Sequence, residues 1–476
     1  MTNTQNSIIT SLNHPTTQRA LVLLFVICTT ILFLFLNKIQ PNYYIDEAFH
    51  IPQTQRFCNG TFFEWDNKIT TLPGLYLITA SVLAPFKLCT TLFLRGVNLI
   101  GTFFNLYLIY EIMCTTTWAQ KLNKSKNETW LLLAVTFSIT LFPPLFFWHF
   151  LFYTDVISVN LVLLMFLLHQ KQYYKNCAAA GALAVLVRQT NIIWVVLLIG
   201  ERVITIIEDQ TPQSISALVS RGMYGSPIHA KLVWNNTVHH TRRGIGSFFI
   251  FIKEIIEKLK AEITVIVVFL IFIIWNRGIV IGDRNAHIAT IHLPQLFYFS
   301  VFSFGFSWPY MVPYWREFFQ WIRKHWIIFN VLLVLMTIIV HNNTLVHPYL
   351  LADNRHYVFY VWSKLMGRYY TAKYFLIPIY AFTIYCLVSS IREMRFLSKL
   401  LYIGCICVVL IPQLLLEPRY FVIPYILLRM NMAEPKLWQI TAEIMTILLI
   451  NCLQFYIFVT KTFYWTDQEG PQRISW

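Results

Sequence analysis

Long apolar runs separated by short polar stretches dominate this chain. The runs that reach or approach the roughly 20 residues needed to cross a bilayer as a helix lie at 20–36, 96–118, 129–150, 154–169, 177–200, 263–281, 288–310, 326–341, 374–391, 400–416 and 439–460. A further run, 72–94, is weaker because Pro73, Pro85 and Lys87 interrupt it. The pattern predicts an all-α, polytopic membrane protein with about 12 transmembrane helices.

Composition agrees with this pattern. Of the 476 residues, 57% are apolar and 12% are charged, whereas a soluble domain has about 25% charged residues. A soluble globular enzyme is therefore excluded. The nine cysteines lie mostly inside apolar runs and lack metal-ligand spacing. We expect neither a disulfide framework nor a zinc site, and we interpret the cysteines as small core residues.

Charge orients the downstream half. The chain has 37 Lys and Arg against 22 Asp and Glu, a formal net charge of +15. In membrane proteins such an excess marks cytoplasmic loops, so no nucleic-acid partner is expected. The basic loops 315–325 and 392–399 are predicted to be cytoplasmic. The polar stretches between them, 282–288, 342–373 and 417–438, are predicted to be non-cytoplasmic.

The upstream half allows two topologies. If every apolar run is one span, the lysine-bearing loops 119–128 and 170–176 fall outside, against the positive-inside rule. Alternatively, 72–94 dips into the far interface, and 177–200 is a pair of short helices that turn at residues 188–191. We favour the second topology because it explains a charged residue, Arg188, in the middle of a run. It gives about twelve crossings with both ends of the sequence in the cytoplasm.

Three units follow from this topology. Residues 1–201 form an N-terminal membrane module whose first non-cytoplasmic loop is 41–94. Residues 202–261 form a basic cytoplasmic insertion that ends in an amphipathic helix on the membrane surface. Residues 262–476 form a C-terminal membrane module.

Ionisable residues near bilayer depth are functional candidates by default. On the favoured topology the non-cytoplasmic face collects Asp46, Glu47, His50, Arg56, Glu64, Asp66, Asp155, Arg188, Asp283, Arg284, His287, His292, Asp353, Arg355, His356 and Arg419. The densest segment is 43–52, where a carboxylate held near the membrane surface is placed to deprotonate an acceptor hydroxyl. The competing interpretation is that Asp46 and Glu47 only cap a helix over 47–56.

Two further clusters have the same ambiguity. The segment 282–287 carries Arg284 and His287 at the outer end of a span, which suits a phosphate or diphosphate. Ordinary interfacial anchoring is the alternative. The segments 353–357 and 417–420 bring further charges to this face, and each also fits a salt-bridged loop clamp.

Several sequence blocks match one enzyme family in order along the chain. They are 44–53, 65–66, 70–76, 188–194, 282–284 with His287, 293–298, 351–357 and 417–420. In these blocks the chain resembles the endoplasmic-reticulum alpha-1,2-glucosyltransferases that use dolichyl-phosphate glucose, which belong to the glycosyltransferase C superfamily. The Asp-Glu pair followed by Thr-Thr-Leu-Pro-Gly at 70–74 is the most specific part of the resemblance. A small departure stands at Tyr44-Ile45, where a proline-tyrosine-methionine lead-in is usual.

The resemblance implies a glycosyltransferase C-type fold with an interfacial first lumenal loop, in the endoplasmic-reticulum membrane, with the active site facing the lumen. It also implies an inverting transfer of glucose from dolichyl-phosphate glucose to the diglucosylated dolichyl-diphosphate oligosaccharide. These two lipid-linked substrates and membrane lipid are the implied partners, without a metal or other cofactor. Protein partners and the oligomeric state stay open.

The resemblance also implies roles for individual residues. Asp46 is the expected catalytic base, with Glu47 as the second candidate. Arg188, Arg284 and His287 are expected to bind the donor phosphate. The residues expected to bind sugar or acceptor are His50, Asp66, Asp155, Asp353, Arg355 and His356.

Two other classes of function compete with the enzyme. A transporter or channel also places Arg and Asp within the membrane, but the sequence has no visible internal repeat, and its polar residues gather on one face. A purely structural subunit is the third class, and it predicts that Asp46 and Glu47 tolerate substitution. The acceptor and its linkage rest on the resemblance alone.

Overall fold

The computed structural model describes residues 13–116, 118–119, 129–242, 244–284, 289–466 and 470–476. In its first half the helices are α1 (Pro15–Ile39), α2 (Glu47–Cys58), α3 (Gly74–Leu83), α4 (Thr91–Cys114), α5 (Thr129–Thr140), α6 (Pro143–Trp148), α7 (Thr154–Gln170), α8 (Tyr174–Val187), α9 (Ile192–Glu208), α10 (Pro212–Ser220) and α11 (Pro227–Arg242). In its second half they are α12 (Ile245–Asn276), α13 (Pro294–Met311), α14 (Trp315–Lys324), α15 (Trp326–Asn343), α16 (Pro348–Ala352), α17 (Tyr357–Val361), α18 (Ala372–Phe375), α19 (Ile377–Ser390), α20 (Phe396–Leu410), α21 (Val422–Met430) and α22 (Leu437–Thr460). A two-stranded antiparallel hairpin, β1 (Thr462–Phe463) and β2 (Gln472–Arg473), follows α22.

The helices confirm a polytopic membrane protein. Among the described residues, seven helices are long and apolar enough to cross a membrane, and five shorter apolar helices accompany them. Their outward faces are rich in exposed large apolar side chains, such as Ile274 at 77% and Trp275 at 81% exposure on α12. Apolar surfaces of this kind are stable when lipid covers them and are unstable when water covers them. The exact number of spans stays a prediction.

The break predicted inside the run 177–200 is present. α8 ends at Val187, Arg188 is extended, a 3-10 turn covers Gln189–Asn191, and α9 starts at Ile192. α3 has only ten residues before its final turn, a length of about 15 Å, which is half the thickness of a hydrocarbon core. These two features agree with the favoured topology. Residues 120–128 of the predicted loop 119–128 lie outside the described residues.

The C-terminal quarter differs from the predicted topology. α13 begins beside the loop that follows α20, where Gln295 Nε2 donates to the Gln413 carbonyl oxygen at 2.9 Å. Its far end meets the start of α22, where Gln439 Nε2 donates to the Pro309 carbonyl oxygen at 3.0 Å. α21 therefore carries the chain to the opposite end of the bundle. The segment 417–438 does not stay on one side.

α21 could not be predicted from the sequence, and the reason is physical. Val422–Met430 has only nine residues and carries Arg429, so no apolar run of membrane length marks it. Arg429 pairs with Glu443 of α22 at 2.7 Å, and both side chains are 1% exposed. Tyr310 bonds to both partners. A buried charge is tolerated when it is paired and hydrogen-bonded in this way.

The last described segment lies on the same side as Asp46. α22 has 24 residues, about 36 Å, and the hairpin after it touches the loop before α2, where the Tyr44 hydroxyl meets the Arg473 carbonyl oxygen at 3.0 Å. Pro15 lies at the other end of the 25-residue α1. The first and last described segments therefore lie at opposite ends of the bundle, which differs from the predicted topology with both ends on the cytoplasmic side.

The prediction of no disulfide framework is also wrong at one position. Cys58 at the end of α2 and Cys89 before α4 form a disulfide across 31 residues. The other seven cysteines are free and lie in helices. Cys177, Cys386 and Cys405 are buried, as the interpretation of core residues requires, whereas Cys28 and Cys452 are exposed and do not fit it. The bridge fixes α2 and α3 to each other, and Ile51, Leu75 and Tyr76 pack between them without solvent exposure.

The insertion 202–261 lies at the opposite end of the bundle from Asp46. Arg395, in the loop before α20, forms ion pairs with Glu201 and Glu208, and His229 bonds to Glu208 at 2.6 Å. These contacts attach the insertion to the C-terminal module. The predicted amphipathic surface helix and the following span are one continuous helix, α12.

Candidate active site

A cavity of about 1240 Å³ opens at one end of the helix bundle. Among the segments that line it are four that are distant in sequence, with lining residues within 38–50 before and in α2, 349–359 around α16 and α17, 415–420 after α20, and 470–476, which includes β2. We call this end of the molecule the cavity face. Most residues selected from the sequence for chemistry lie there.

Asp46 points into this cavity from the start of α2. The residue before it, Ile45, has φ of +46°, a left-handed conformation that is rare for a β-branched residue. The tight turn is held by Tyr153, whose hydroxyl donates to the Tyr44 carbonyl oxygen at 3.0 Å and accepts from the Asp46 backbone N–H at 3.1 Å. This strained turn directs the Asp46 side chain into the cavity.

Arg419 is the direct partner of Asp46. Its Nη1 donates to Asp46 Oδ2 at 2.6 Å, and its Nε pairs with Glu417. Burial alone would raise the pKa of Asp46, but the nearby Arg419 and His50 outweigh it and lower the pKa to about 2. The Asp46 side chain keeps 27% exposure. It is therefore an ionised carboxylate that faces open space.

Glu47 points the opposite way. Its side chain has 0% exposure, does not line the cavity, and pairs with Arg95 of α4 at 2.5 Å. Its oxygens also accept from the backbone N–H groups of Tyr44 at 3.0 Å and Phe152 at 2.6 Å. Arg95 in turn has partners for all five N–H donors: Glu47 twice, Asn37, and the carbonyl oxygens of residues 40 and 42. In this geometry Glu47 holds α2 in place.

His50 lies one helical turn after Asp46 and also lines the cavity. Its Nδ1 bonds to the Tyr76 hydroxyl at 2.7 Å. Burial lowers the pKa of His50 to about 4, against the attraction of Asp46. The imidazole is therefore neutral at pH 7, and it offers a hydrogen bond rather than a charge.

Arg188 reaches the cavity from the break between α8 and α9. It forms an ion pair with Asp155, the second residue of α7, and the two side chains are 18% and 2% exposed. Arg188 lines the cavity, whereas Asp155 lies behind it as its counter-ion. A cation with part of its guanidinium exposed can bind a phosphate, as predicted for Arg188.

The structure does not bring Arg284 to Arg188. Arg284 is exposed, its Nη2 donates to the Asn276 carbonyl oxygen at 2.5 Å at the end of α12, and it does not line the cavity. This is the position of a helix C-terminal cap. The neighbouring Asp283 does line the cavity. His287 lies outside the described residues.

Asp66 also lies outside the lining. Its Oδ1 accepts from the Lys68 backbone N–H at 2.9 Å, and its own N–H donates to Gln53 Oε1 at 3.0 Å. The first contact closes a turn, and the second attaches this turn to α2. Lys68, two residues later, does line the cavity and adds a cation that was not selected from the sequence.

Asp353, Arg355 and His356 line the cavity together. Arg355 donates to Asp353 through Nε at 2.9 Å and Nη2 at 2.7 Å. Burial alone would raise the pKa of Asp353, but these bonds from Arg355 lower it below its ordinary value. The Arg355 guanidinium also lies 4.5 Å from the centre of the Trp465 ring. This cluster combines polar and aromatic surface, as sugar binding requires.

Sequence reasoning missed two parts of the site. The sequence places Arg419 among the charges of this face, with a loop clamp to Glu417 as the alternative, but only its contact with Asp46, 373 positions away, shows its role beside the carboxylate. Trp476 lines the cavity but gave no signal, because its segment was assigned to the other side of the membrane. Within the described ranges, no group of three or more His, Cys, Asp or Glu residues forms a metal site.

Comparison with known proteins bears on this arrangement directly. The model of the DIE2/ALG10 family matches residues 40–430. The chain belongs to the DIE2/ALG10 family. The match extends from the loop before Asp46 to beyond Arg419, so it contains both halves of the central ion pair.

Relatives in the DIE2/ALG10 family match over most of their length. A Drosophila melanogaster protein is 38% identical over 95% of this chain and 97% of its own, and a Homo sapiens protein is 34% identical over 91% and 93%. An Arabidopsis thaliana protein is 31% identical over 93% of this chain and 96% of its own. Each is named Dol-P-Glc:Glc(2)Man(9)GlcNAc(2)-PP-Dol alpha-1,2-glucosyltransferase. No solved structure matches the chain. The family predicted from the sequence blocks is confirmed.

Proposed function

We propose that this protein transfers glucose from dolichyl-phosphate glucose to the terminal glucose of the diglucosylated dolichyl-diphosphate oligosaccharide, in alpha-1,2 linkage. The names of its relatives support the reaction. The observation that carries the proposal is the ionised Asp46 in a cavity that is also lined by three arginines among the described residues, including Arg188 and Arg419. Nothing supports the transporter alternative, since these charges gather at one end of the bundle.

In this proposal the phosphate of the donor binds to Arg188 and Arg419. Each guanidinium is partly exposed, 18% and 22%, and each has a carboxylate partner that holds it in place. Lys68 lines the same cavity. Cations that carboxylate partners hold in place stabilise a phosphate better than mobile surface lysines do.

In the proposed reaction, the C2 hydroxyl oxygen of the acceptor glucose bonds to C1 of the donor glucose. The bond from C1 to the phosphate oxygen breaks, its electron pair goes to the phosphate, and Asp46 takes the hydroxyl proton. The phosphate gains one negative charge in this step, which Arg188 and Arg419 stabilise. Attack from the opposite side inverts C1 and needs only one base. The expectation of transfer without a metal stays a prediction.

Arg419 links donor binding to the base. In the structure it neutralises Asp46 and Glu417 together, which makes Asp46 a weak base. A donor phosphate competes for the same guanidinium. As Arg419 turns to the phosphate, the pKa of Asp46 rises, and the carboxylate becomes a better proton acceptor once the donor is bound.

The assay uses the purified protein in lipid nanodiscs with dolichyl-phosphate glucose and the diglucosylated acceptor. We expect Asp46→Asn to lower kcat by about 10²–10⁴-fold because the general base is lost. The matched control is Asp66→Asn, in the same loop but outside the lining, which keeps activity within a few-fold. Full activity of Asp46→Asn contradicts the assignment of the base. Absence of transfer by the unaltered protein contradicts the function.

We further propose that the cavity face is lumenal in the endoplasmic reticulum. Phe63, fully exposed in the loop between α2 and α3, and Trp234, 67% exposed in the insertion, report on the two ends of the bundle. In sealed microsomes a membrane-impermeant maleimide is expected to label Trp234→Cys but not Phe63→Cys. Permeabilisation then exposes Phe63→Cys. The reverse pattern contradicts the orientation.

A further inference from the structure

The segments 462–466 and 470–476 pair as a hairpin that closes one side of the cavity. Its strands pair Thr462 with Arg473 and Phe463 with Gln472. Arg473 is 6% exposed and anchors the hairpin, because it donates to the Phe458 carbonyl oxygen at 2.8 Å and to Gln40 Oε1 at 3.0 Å. One side chain thus ties the hairpin both to the end of α22 and to the loop that leads to Asp46.

The hairpin supports the turn that directs Asp46. The Tyr44 hydroxyl bonds to the Ser475 hydroxyl at 2.9 Å and to the Arg473 carbonyl oxygen at 3.0 Å. Tyr44 has 3% exposure, and its own carbonyl accepts from Tyr153, which also bonds to the Asp46 backbone. A continuous series of hydrogen bonds therefore runs from the hairpin to the proposed base.

The hairpin also binds the segment 353–357. Backbone bonds join Ser475 N–H to the Arg355 carbonyl oxygen at 2.7 Å and Tyr357 N–H to the Ser475 carbonyl oxygen at 3.0 Å. The Trp465 ring bonds to Asn354 Oδ1 at 3.1 Å and stacks on Arg355. The two segments thus form one continuous wall.

This wall presents a different chemistry from the rest of the cavity. Trp465, Gln472 and Trp476 line the cavity from the hairpin, and Asp353 lines it from the adjoining segment. Aromatic rings offer flat apolar faces to the C–H groups of a sugar, and amide and carboxylate groups bind its hydroxyls. The one arginine of this wall that lines the cavity, Arg355, is held by Asp353 and by the Trp465 ring, and Arg188 and Arg419 come from other segments.

The position of the hairpin favours the acceptor over the donor. It follows the end of α22, a helix of 24 residues that is long and apolar enough to cross the bilayer. The hairpin therefore lies where the polar glycan arrives from the aqueous side, whereas the donor lipid keeps its chain in the hydrocarbon.

On these grounds we propose that the hairpin segments 462–466 and 470–476 are the acceptor-binding wall of the active site, with Trp465 and Trp476 as stacking surfaces for terminal glucose residues. The inference rests on the proposed function and assigns a place to its acceptor. It makes the hairpin a determinant of acceptor specificity.

The test compares Trp465→Ala with Tyr464→Ala. Tyr464 is the neighbouring aromatic residue, 75% exposed and outside the lining. We expect Trp465→Ala to raise the acceptor KM by about tenfold while the donor KM stays unchanged, because one stacking contact is lost. Trp465→Phe keeps a ring and is expected to restore most of the affinity. Tyr464→Ala is expected to match the unaltered protein.

A second measurement separates this inference from the proposed function. Binding of the acceptor glycolipid without donor is measured by thermophoresis for the same variants, after size-exclusion chromatography has shown them to be folded. If the unaltered protein binds the acceptor but transfers no glucose, the proposed function is refuted. The acceptor-binding role of the hairpin is then decided by the binding measurements alone. An unchanged acceptor affinity in Trp465→Ala, or a rise in donor KM instead, overturns the inference.

Discussion

Replacement of Glu47 by Gln tests the different roles of two adjacent carboxylates. In the structure each Glu47 oxygen accepts two N–H bonds: Oε1 from Arg95 and Phe152, and Oε2 from Arg95 and Tyr44. A glutamine amide has one oxygen and one NH₂ group. In either orientation of the glutamine amide, its NH₂ group faces two N–H donors and cannot accept from them. The Arg95 side chain, which is 1% exposed, also loses its counter-ion.

The expected cost is large because the charge stays buried. Breaking one partner of a buried ion pair costs about 3–5 kcal/mol. We therefore expect Glu47→Gln to lower the apparent unfolding temperature, measured by the fraction of monomer that survives heating before size-exclusion chromatography. Transfer activity should decrease only to the extent that loss of the ion pair displaces α2 and, with it, Asp46. The exposed Glu64, in the same loop, gives the control Glu64→Gln, which should leave both measurements unchanged.

Asp46→Asn should behave in the opposite way, with a stability close to that of the unaltered protein and little transfer. Arg419 keeps Glu417 as a partner in that variant. The reasoning is refuted if Glu47→Gln is as stable as the unaltered protein and yet loses transfer. In that case Glu47 is the catalytic group, and the ion pair with Arg95 is dispensable.

Three further changes have defined outcomes. Arg419→Gln removes the cation that keeps the pKa of Asp46 at about 2. The pKa of Asp46 should therefore rise, and the acid limb of the pH profile of kcat/KM should move to higher pH. An acid limb at the same pH contradicts the pairing of Arg419 with Asp46. Cys58→Ser should lower stability by about 2–4 kcal/mol, and a reductant should reproduce this loss in the unaltered protein but add nothing in the variant. Gly282 has φ of +70°, and Gly282→Ala places a Cβ 2.4 Å from a backbone carbonyl oxygen of the first loop, so thermal stability and activity should fall. The control is Gly246→Ala, whose Cβ meets nothing within 4 Å and which should leave both measurements unchanged.

Features that depend on local sequence were predictable. Apolar runs predicted the helices because burial in lipid requires continuous apolar length. The break at Arg188 was predictable because a charge inside a run has to leave the hydrocarbon. The convergence of Asp46, His50 and Asp353 on one cavity followed from assigning their loops to the same side of the membrane.

Features that depend on pairing were not predictable. α21 escaped detection because Arg429 is neutralised by Glu443, on another helix. Arg284 was selected for its charge, but it caps α12 and does not line the cavity. The disulfide escaped because Cys58 and Cys89 lie 31 residues apart, and only the packing of α2 on α3 brings them together.

The sequence by itself determined the class of protein, the family, and the segments from which the site is built, because each of these is written in short continuous stretches of residues. Only the tertiary structure decided which of two adjacent carboxylates is available for chemistry. The direction of Asp46 and Glu47 depends on the left-handed turn at Ile45 and on Arg95 and Arg419, which are 48 and 373 positions from their partners. A side chain's role depends on its neighbours in space, and residues that far apart in sequence become neighbours only when the helices pack.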